Sequence, residues 1–304
     1  MNQHEPSFAA WAVSLVFPPL PAMMVTASCE CMRVLHLYII KKLTTADFFL
    51  ACLLNPKLLL TLKIDQIRAK SFALFWSRFG RMFADDFPSP QLDDIITEKC
   101  SGMVLDIGPG AGYQVKRFAG AFRNGQIKRI YGVEPGAEMH KELRSEAAKV
   151  FGPEVSSRYS ILSTGAQPGE LVPALAKAGL LEQQTEGVFD TIVSLRALCG
   201  IPEPQETIHL FYRLLKPGGR LIFFEHVSNS GDANKGGSIV AWSLQRLYML
   251  MGWRFWNGGC ELTRDTERFM INAAANDGGW SVKEVYHRNP TGCIPEIFGY
   301  MEKQ

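Results

Sequence analysis

Met103-Val104-Leu105-Asp106-Ile107-Gly108-Pro109-Gly110-Ala111-Gly112-Tyr113 is the stretch on which the fold turns. Its first five residues are apolar but for one acid. A run so short, ended by glycine and proline, predicts a buried strand. Three glycines at alternate positions then let the backbone bend sharply and approach another group with no Cβ in the way. Tyr113 to Phe122 reads as a helix. Strand, glycine bend and helix in that order open a parallel α/β sheet, whose ligands sit at the carboxyl ends of the strands.

Downstream the same alternation continues. Arg129 to Glu134 (RIYGVE), Ser157 to Ser163, Phe189 to Ser194 and Arg220 to His226 read as strands two to five. Helices are predicted at Ala137 to Val150, Pro168 to Gln184 and Glu206 to Leu215, the last stopped by Lys216-Pro217-Gly218-Gly219. A helical insertion follows at about 228–278: an apolar helix from Ser238 to Trp253, and another starting near Thr263 as its cap. Trp280 to Tyr286 and Ile297 to Met301 read as a closing hairpin at the sheet edge. Residues 91–304 are thus expected to form a doubly wound, mostly parallel seven-stranded sheet with helices on both faces.

Residues 1–90 differ and are expected to be an apolar helical extension. Phe8 to Cys29 carries no charge and is long enough to span a bilayer, about 20 residues. Pro18, Pro19 and Pro21 each remove a helical hydrogen bond, so a bent segment dipping into one leaflet fits better than a straight span. The run also lacks the basic flank of a cleaved signal peptide. Phe48 to Leu62, punctuated by Lys57 and flanked by Lys41, Lys42 and Lys63, suits an interfacial helix. In Ser71 to Phe87, the apolar residues Phe72, Phe75, Trp76, Phe79, Met82 and Phe83 recur at three- and four-residue spacing. That face is expected to pack on the main domain and to roof a pocket for an apolar molecule. A membrane surface is therefore an expected partner.

Nucleic acid is not expected, because the net charge over 304 residues is only +2. A hydrophobic content of 47% against 20% charged residues allows a sizeable core. The seven cysteines are scattered and form no CxxC pair, so no metal site and no disulfide framework is expected.

The glycines run GxGxG. A dinucleotide fingerprint is GxGxxG, and Tyr113 stands where its third glycine would be, which disfavours a nicotinamide-dependent oxidoreductase. VLDIGPGAG resembles the first motif of the class I S-adenosylmethionine-dependent methyltransferases, and YGVEP their second. FDTIVSLRALC resembles the fourth and LLKPGGRLIFFEHV the segment after it, so the resemblance spans roughly 91–303. It implies a Rossmann-like fold with S-adenosylmethionine as cofactor. Carried over residue by residue, it puts Gly108, Gly110 and Gly112 around the methionine portion and Glu134 on the ribose hydroxyls. Asp106 would order the loop or reach the ligand's ammonium. The loop after strand three reads Thr164-Gly165-Ala166-Gln167, without the acid frequent in the family, so Ala166 and Gln167 are the adenine-side candidates. Ser194, at the end of strand four, completes the cofactor-binding set.

Finer details are similar to the membrane-associated small-molecule thiol methyltransferases: the apolar start, Leu198-Cys199, Glu225-His226-Val227, Gly259-Cys260-Glu261-Leu262-Thr263-Arg264 and Ile297-Phe298-Gly299-Tyr300. The chain also resembles fungal polyketide-pathway O-methyltransferases, some acting on hydroxypyrones. These likenesses imply a small apolar acceptor and a place on endoplasmic reticulum or another internal membrane, or else in the cytoplasm. Transfer to oxygen is the leading expectation. Transfer to a small thiol, and a non-catalytic cofactor-binding adapter, remain the alternatives. His226, at the end of strand five, is the candidate general base. Glu225, facing the other way, reads as structural. Arg264 with Asp265 reads as a helix cap, and Cys199 and Cys260 as small hydrophobes near the pocket. Trp242, Tyr248, Trp253, Phe255 and Trp256 of the insertion are expected to help wall the cleft.

Overall fold

The computed structural model describes residues 90–181 and 187–304, together with Phe72, Trp76, Gly80 and Arg81; for Trp256 it describes the backbone alone. The chain divides into Met1–Leu37 and Tyr38–Gln304, and every described residue belongs to the second unit. The segments expected at the membrane, Phe8 to Cys29 and Phe48 to Leu62, lie outside the described residues.

The elements run α1 (Gln91–Lys99), β1 (Gly102–Ile107), α2 (Ala119–Arg123), β2 (Ile127–Val133), α3 (His140–Phe151), α4 (Val155–Arg158) and β3 (Tyr159–Leu162). Then come α5 (Pro168–Lys177), β4 (Phe189–Leu195), α6 (Pro204–Leu214), β5 (Leu215–His226), α7 (Ile239–Leu250), α8 (Trp253–Trp256), α9 (Thr266–Ala273), β6 (Trp280–Arg288) and β7 (Glu296–Lys303). They form one seven-stranded sheet in the order β3-β2-β1-β4-β5-β7-β6. The first five strands in that order are parallel, while β7 pairs antiparallel with both β5 and β6.

The two-residue period of a strand sends successive side chains to opposite faces. Leu105 and Ile107 of β1 therefore join Tyr131, Val133, Ile192 and Phe223 under α5, α6 and α9, in a core that includes Leu171, Phe211 and Met270. Val104 joins Ile130, Val193, Ile222 and Phe224 on the other face, under α1 and α3, with Leu92, Ile96, Leu143 and Phe151. Each such side chain contributes roughly 1.5–3 kcal/mol when fully buried.

Several boundaries shift for local reasons. The helix after the glycine bend opens as a 3-10 turn, Val115–Phe118, before α2 begins. The apolar insertion helix ends at Leu250, because Gly252 takes φ 87° and starts a new turn at Trp253. Thr263 does not cap the last helix; Asp265 does, accepting from the amide of Arg268. The predicted hairpin is present, and β7 lies inside the sheet with β6 at its edge. In α7, Ala241, Gln245 and Tyr248 turn inward while Ile239, Val240, Leu247 and Leu250 are exposed. Among the described residues no helix is long and apolar enough to cross a membrane.

Candidate active site

The strand order reverses between β1 and β4, and the carboxyl ends of the strands at such a reversal are where open α/β sheets form their ligand crevice. Gly108, Gly110 and Gly112 all sit at positive φ (62°, 59° and 84°), where glycine alone adds no strain. The amide of Gly108 donates to Val133 at the end of β2 (3.0 Å). One residue later, Glu134 closes the bend. Its Oε2 accepts from the amide of Gly110 (2.9 Å) and its Oε1 from that of Gly136 (2.7 Å). His140 Nε2 lies 2.9 Å from the Glu134 carbonyl. Burial raises the Glu134 carboxyl above its ordinary value, and the two amide bonds oppose that shift. Each carboxylate oxygen keeps a further lone pair for a ligand hydroxyl.

The crevice has close walls. A Cβ on Gly108 would stand 2.7 Å from that of Ala197, in the loop after β4. A Cβ on Gly110 would stand 3.0 Å from the indole nitrogen of Trp76 and 3.6 Å from the sulfur of Met139. Trp76 packs with Ala111 and Tyr113 and stacks on Phe72, centroids 5.9 Å apart. The described part of the aromatic segment therefore lies over the glycine bend. Met139 is a neighbour of this site that no motif marks.

Asp106 points to the opposite face from Leu105 and Ile107. It accepts from the hydroxyl of Tyr159 on β3 (2.8 Å), which crosses Gly132 of β2 to reach it. A Cβ at Gly132 would meet that hydroxyl at 2.6 Å. Burial pushes the Asp106 carboxyl up to about 7, against the pull of the Tyr159 bond. Ala166 is buried beside the loop after β3. Gln167 donates to Glu170 (2.6 Å), which also accepts from the Gly165 amide (2.9 Å), so Glu170 orders that loop. Ser194 of β4 pairs in register with Ile107, just before the glycine bend. It is fully buried and donates to Glu225 Oε1 (2.7 Å).

Glu225 holds up the loop after β4, accepting at the same oxygen from the amides of Ala197 and Leu198 (both 3.1 Å). Burial pushes its carboxyl up to about 7 despite those three donors. His226, on the other side of β5, lies in a row across three strands. It pairs in register with Glu296 of β7, which pairs with Arg288 of β6. Its Nε2 is 3.5 Å from Glu296 Oε1, and Glu296 takes Arg196 (2.6 Å) and Arg288 (3.0 Å). Its Nδ1 is 3.9 Å from Cys260 Sγ. Burial opposes a charge on the ring, yet the bonds to Cys260 and Glu296 prevail and push it up to about 9.

Two loops meet beside this histidine. Gly259, at φ 95°, would place a Cβ 2.9 Å from the carbonyl of Gly200, so the glycines let the backbones touch. Glu261 donates its amide to the carbonyl of Cys199 (2.8 Å). Arg264 is buried and donates to the carbonyls of Leu198 and Ile201, and to Glu261. Its expected role at the helix start gives way to this one, since capping falls to Asp265 alone. Cys199, His226 and Cys260 come together, with Sγ, ring nitrogen and Sγ all within 4.8 Å of one another. The sequence reading expected no metal-ligating set. The three residues stand far apart in the chain, and no local spacing marks them.

The residues at the glycine bend fit S-adenosylmethionine. At Gly108 and Gly110 the positive φ and the close neighbours Ala197 and Trp76 admit no side chain, so only backbone faces a ligand at the bend. Glu134 offers a buried carboxylate with spare acceptor capacity, suited to a diol.

A family model described as Methyltransferase domain matches residues 80–267. Thiol S-methyltransferase TMT1B of Rattus norvegicus is 34% identical over 86 residues, covering 28% of this chain and 32% of the relative. Ubiquinone biosynthesis O-methyltransferase of Klebsiella pneumoniae is 27% identical over 178 residues, covering 56% of this chain and 64% of the relative. The chain thus spans about a third of the first relative and just under two thirds of the second. An O-methyltransferase family protein from Burkholderia thailandensis is a similar solved structure, with TM-score 0.49, 14% identity, and coverage of 79% of this chain and 60% of that one. With more than half of its length matched to the family model, the chain belongs to the S-adenosylmethionine-dependent methyltransferases.

Proposed function

We propose that this chain methylates an ionisable hydroxyl of an apolar small molecule, a secondary metabolite such as a polyketide hydroxypyrone. The observation that carries methyl transfer is the hydrogen bond from the Gly110 amide to Glu134, which joins the glycine bend and the acid into one unit. When bound, S-adenosylmethionine supplies a methyl group activated by its sulfonium. Everything else falls to the residues of the chain. Glu134 holds the ribose, Gly108, Gly110 and Gly112 take the methionine portion, and Asp106, bonded to Tyr159, anchors the strand end from which the bend starts. Ala166 and Gln167 stand on the adenine side, and Ser194 acts through Glu225. Trp76 covers the bend and keeps water out, which strengthens local electrostatics. Such positioning contributes up to about 7–11 kcal/mol in favourable cases.

His226 enters as the group beside which the acceptor's charge develops. Both ring nitrogens already face partners, Cys260 and Glu296. An acceptor that ionises on its own suits this site better than an alcohol needing a strong base. The length of the match to the Klebsiella O-methyltransferase favours oxygen. The rat thiol methyltransferase favours a small thiol as the second reading. Location on an internal membrane is supported by the uncharged run Phe8 to Cys29 and by the exposed apolar residues of α7.

Incubation with labelled donor and panels of hydroxypyrones and thiols tests the proposal, run on membrane and soluble fractions of cells making the full chain. Methylated hydroxypyrone in the membrane fraction is the expected result. Thiol products alone would select the second reading. Donor binding with no product from either panel would contradict both and leave the adapter. Activity confined to the soluble fraction would remove the membrane.

A further inference from the structure

We infer that Cys199, His226 and Cys260 bind a divalent cation of the zinc class, beside the methyl-transfer crevice. Their ligand atoms lie within 4.8 Å of one another, and all three side chains are mostly or wholly buried. Tetrahedral zinc bonds of ~2.3 Å to sulfur and ~2.0 Å to nitrogen put neighbouring ligand atoms roughly 3.5–3.8 Å apart. The Cys260 Sγ to His226 Nδ1 distance is 3.9 Å, so small side-chain movements would complete the set.

Three independent features support a built site. The first is the second nitrogen of the ring: Nε2 faces Glu296, itself held by Arg196 and Arg288. A carboxylate on the far nitrogen is the usual partner of a metal-bound histidine, where it fixes ring orientation. The second is the contact of Gly200 with Gly259, which lets the two cysteine loops touch through their backbones. The third is Arg264, whose bonds to Leu198, Ile201 and Glu261 tie those loops together.

Two thiolates and an imidazole select a soft or borderline metal over magnesium or calcium. Three protein ligands leave one tetrahedral position, the pattern of catalytic rather than structural zinc. A thiol or enol hydroxyl in that position would be held as its anion. In the loaded chain the cation, not His226, would keep the acceptor ionised. This last role rests on the methyl-transfer reading; the binding itself does not.

The test is cobalt and zinc uptake by the full-length chain, reduced, stripped with chelator and dialysed. One equivalent of cobalt is expected, with thiolate charge-transfer absorption and the strong visible bands of a tetrahedral ion. Binding displaces protons from the Cys199 thiol and from the Cys260–His226 pair, and the pH change of an unbuffered sample reads them. Cys199→Ser and Cys260→Ser should each weaken zinc binding at least tenfold. Cys100→Ala, at the opposite end of the sheet, should leave it unchanged. Donor affinity is measured on the same samples by calorimetry. No charge-transfer band and no retained zinc, with donor binding intact, would overturn the metal site alone. Equal uptake by Cys260→Ser would overturn it too. Recovery of Cys199 and Cys260 only as a disulfide, with no uptake after reduction, would replace it by a redox pair. Loss of donor binding with zinc uptake intact would strike the methyl-transfer reading instead.

Discussion

Asp106 shows how one residue's surroundings decide its behaviour. Its carboxyl is fully buried, bonded to Tyr159, and pushed up to about 7. The folded chain therefore keeps a proton that the unfolded chain releases near the ordinary value of 3.8. That contribution to stability is whole below about pH 4 and is lost as pH rises through about 7. Asp106→Asn carries no such dependence. Melting temperatures of the two proteins without ligand, at pH 5 and pH 8, should show the variant gaining several degrees relative to the parent at the higher pH. A domain of this size moves about 2–4 °C per kcal/mol. A difference that stays constant across that range would contradict the buried carboxyl. At this scale the sequence was informative for Glu134, because an acid directly after a buried strand reaches a fixed place in this fold. It was silent on Glu296 and Arg196. Their link to His226 depends on which strand lies beside β5, and no local pattern encodes that.

Elements repeat the lesson. Strand and helix order was legible because hydrophobic runs of five residues alternate with amphipathic helices. The bend after β1 was legible because GPGAG admits few other conformations. The 3-10 opening of the next helix was not, since 3-10 and α turns share the same residue preferences. Nor was the place of β7 inside the sheet, although the hairpin itself was. Gly299 marks that place. It has φ 147°, and an added Cβ would lie 1.9 Å from the carbonyl of Glu284 on β6. Gly299→Ala should therefore part β6 from β7, costing about 2–4 kcal/mol from backbone strain and overpacking. Thermal unfolding measures this; an unchanged melting temperature would show that the edge strand shifts without cost.

Over the whole molecule, the two faces of the sheet are closed by different helices, and both strand ends that matter meet at one rim. The glycine bend with Glu134 lies at the carboxyl ends of β1 and β2, and His226 at that of β5. The loop from Leu195 to Cys199 connects them: Ala197 touches the bend and Glu225 holds the loop from β5. One loop thus joins the glycine bend to the cysteine–histidine cluster. That relation came from topology, while the family was already visible in the motifs. In the proposed reaction the bend and Glu134 together seat the adenosyl group. Calorimetric titration of the full-length chain and of Glu134→Ala with S-adenosylmethionine, and with NADH as control, tests it most directly. One donor site per chain, no NADH binding, and at least tenfold weaker donor binding in the variant with the fold retained are the expected results. NADH binding in place of the donor, or a variant that binds the donor as tightly as its parent, would contradict it.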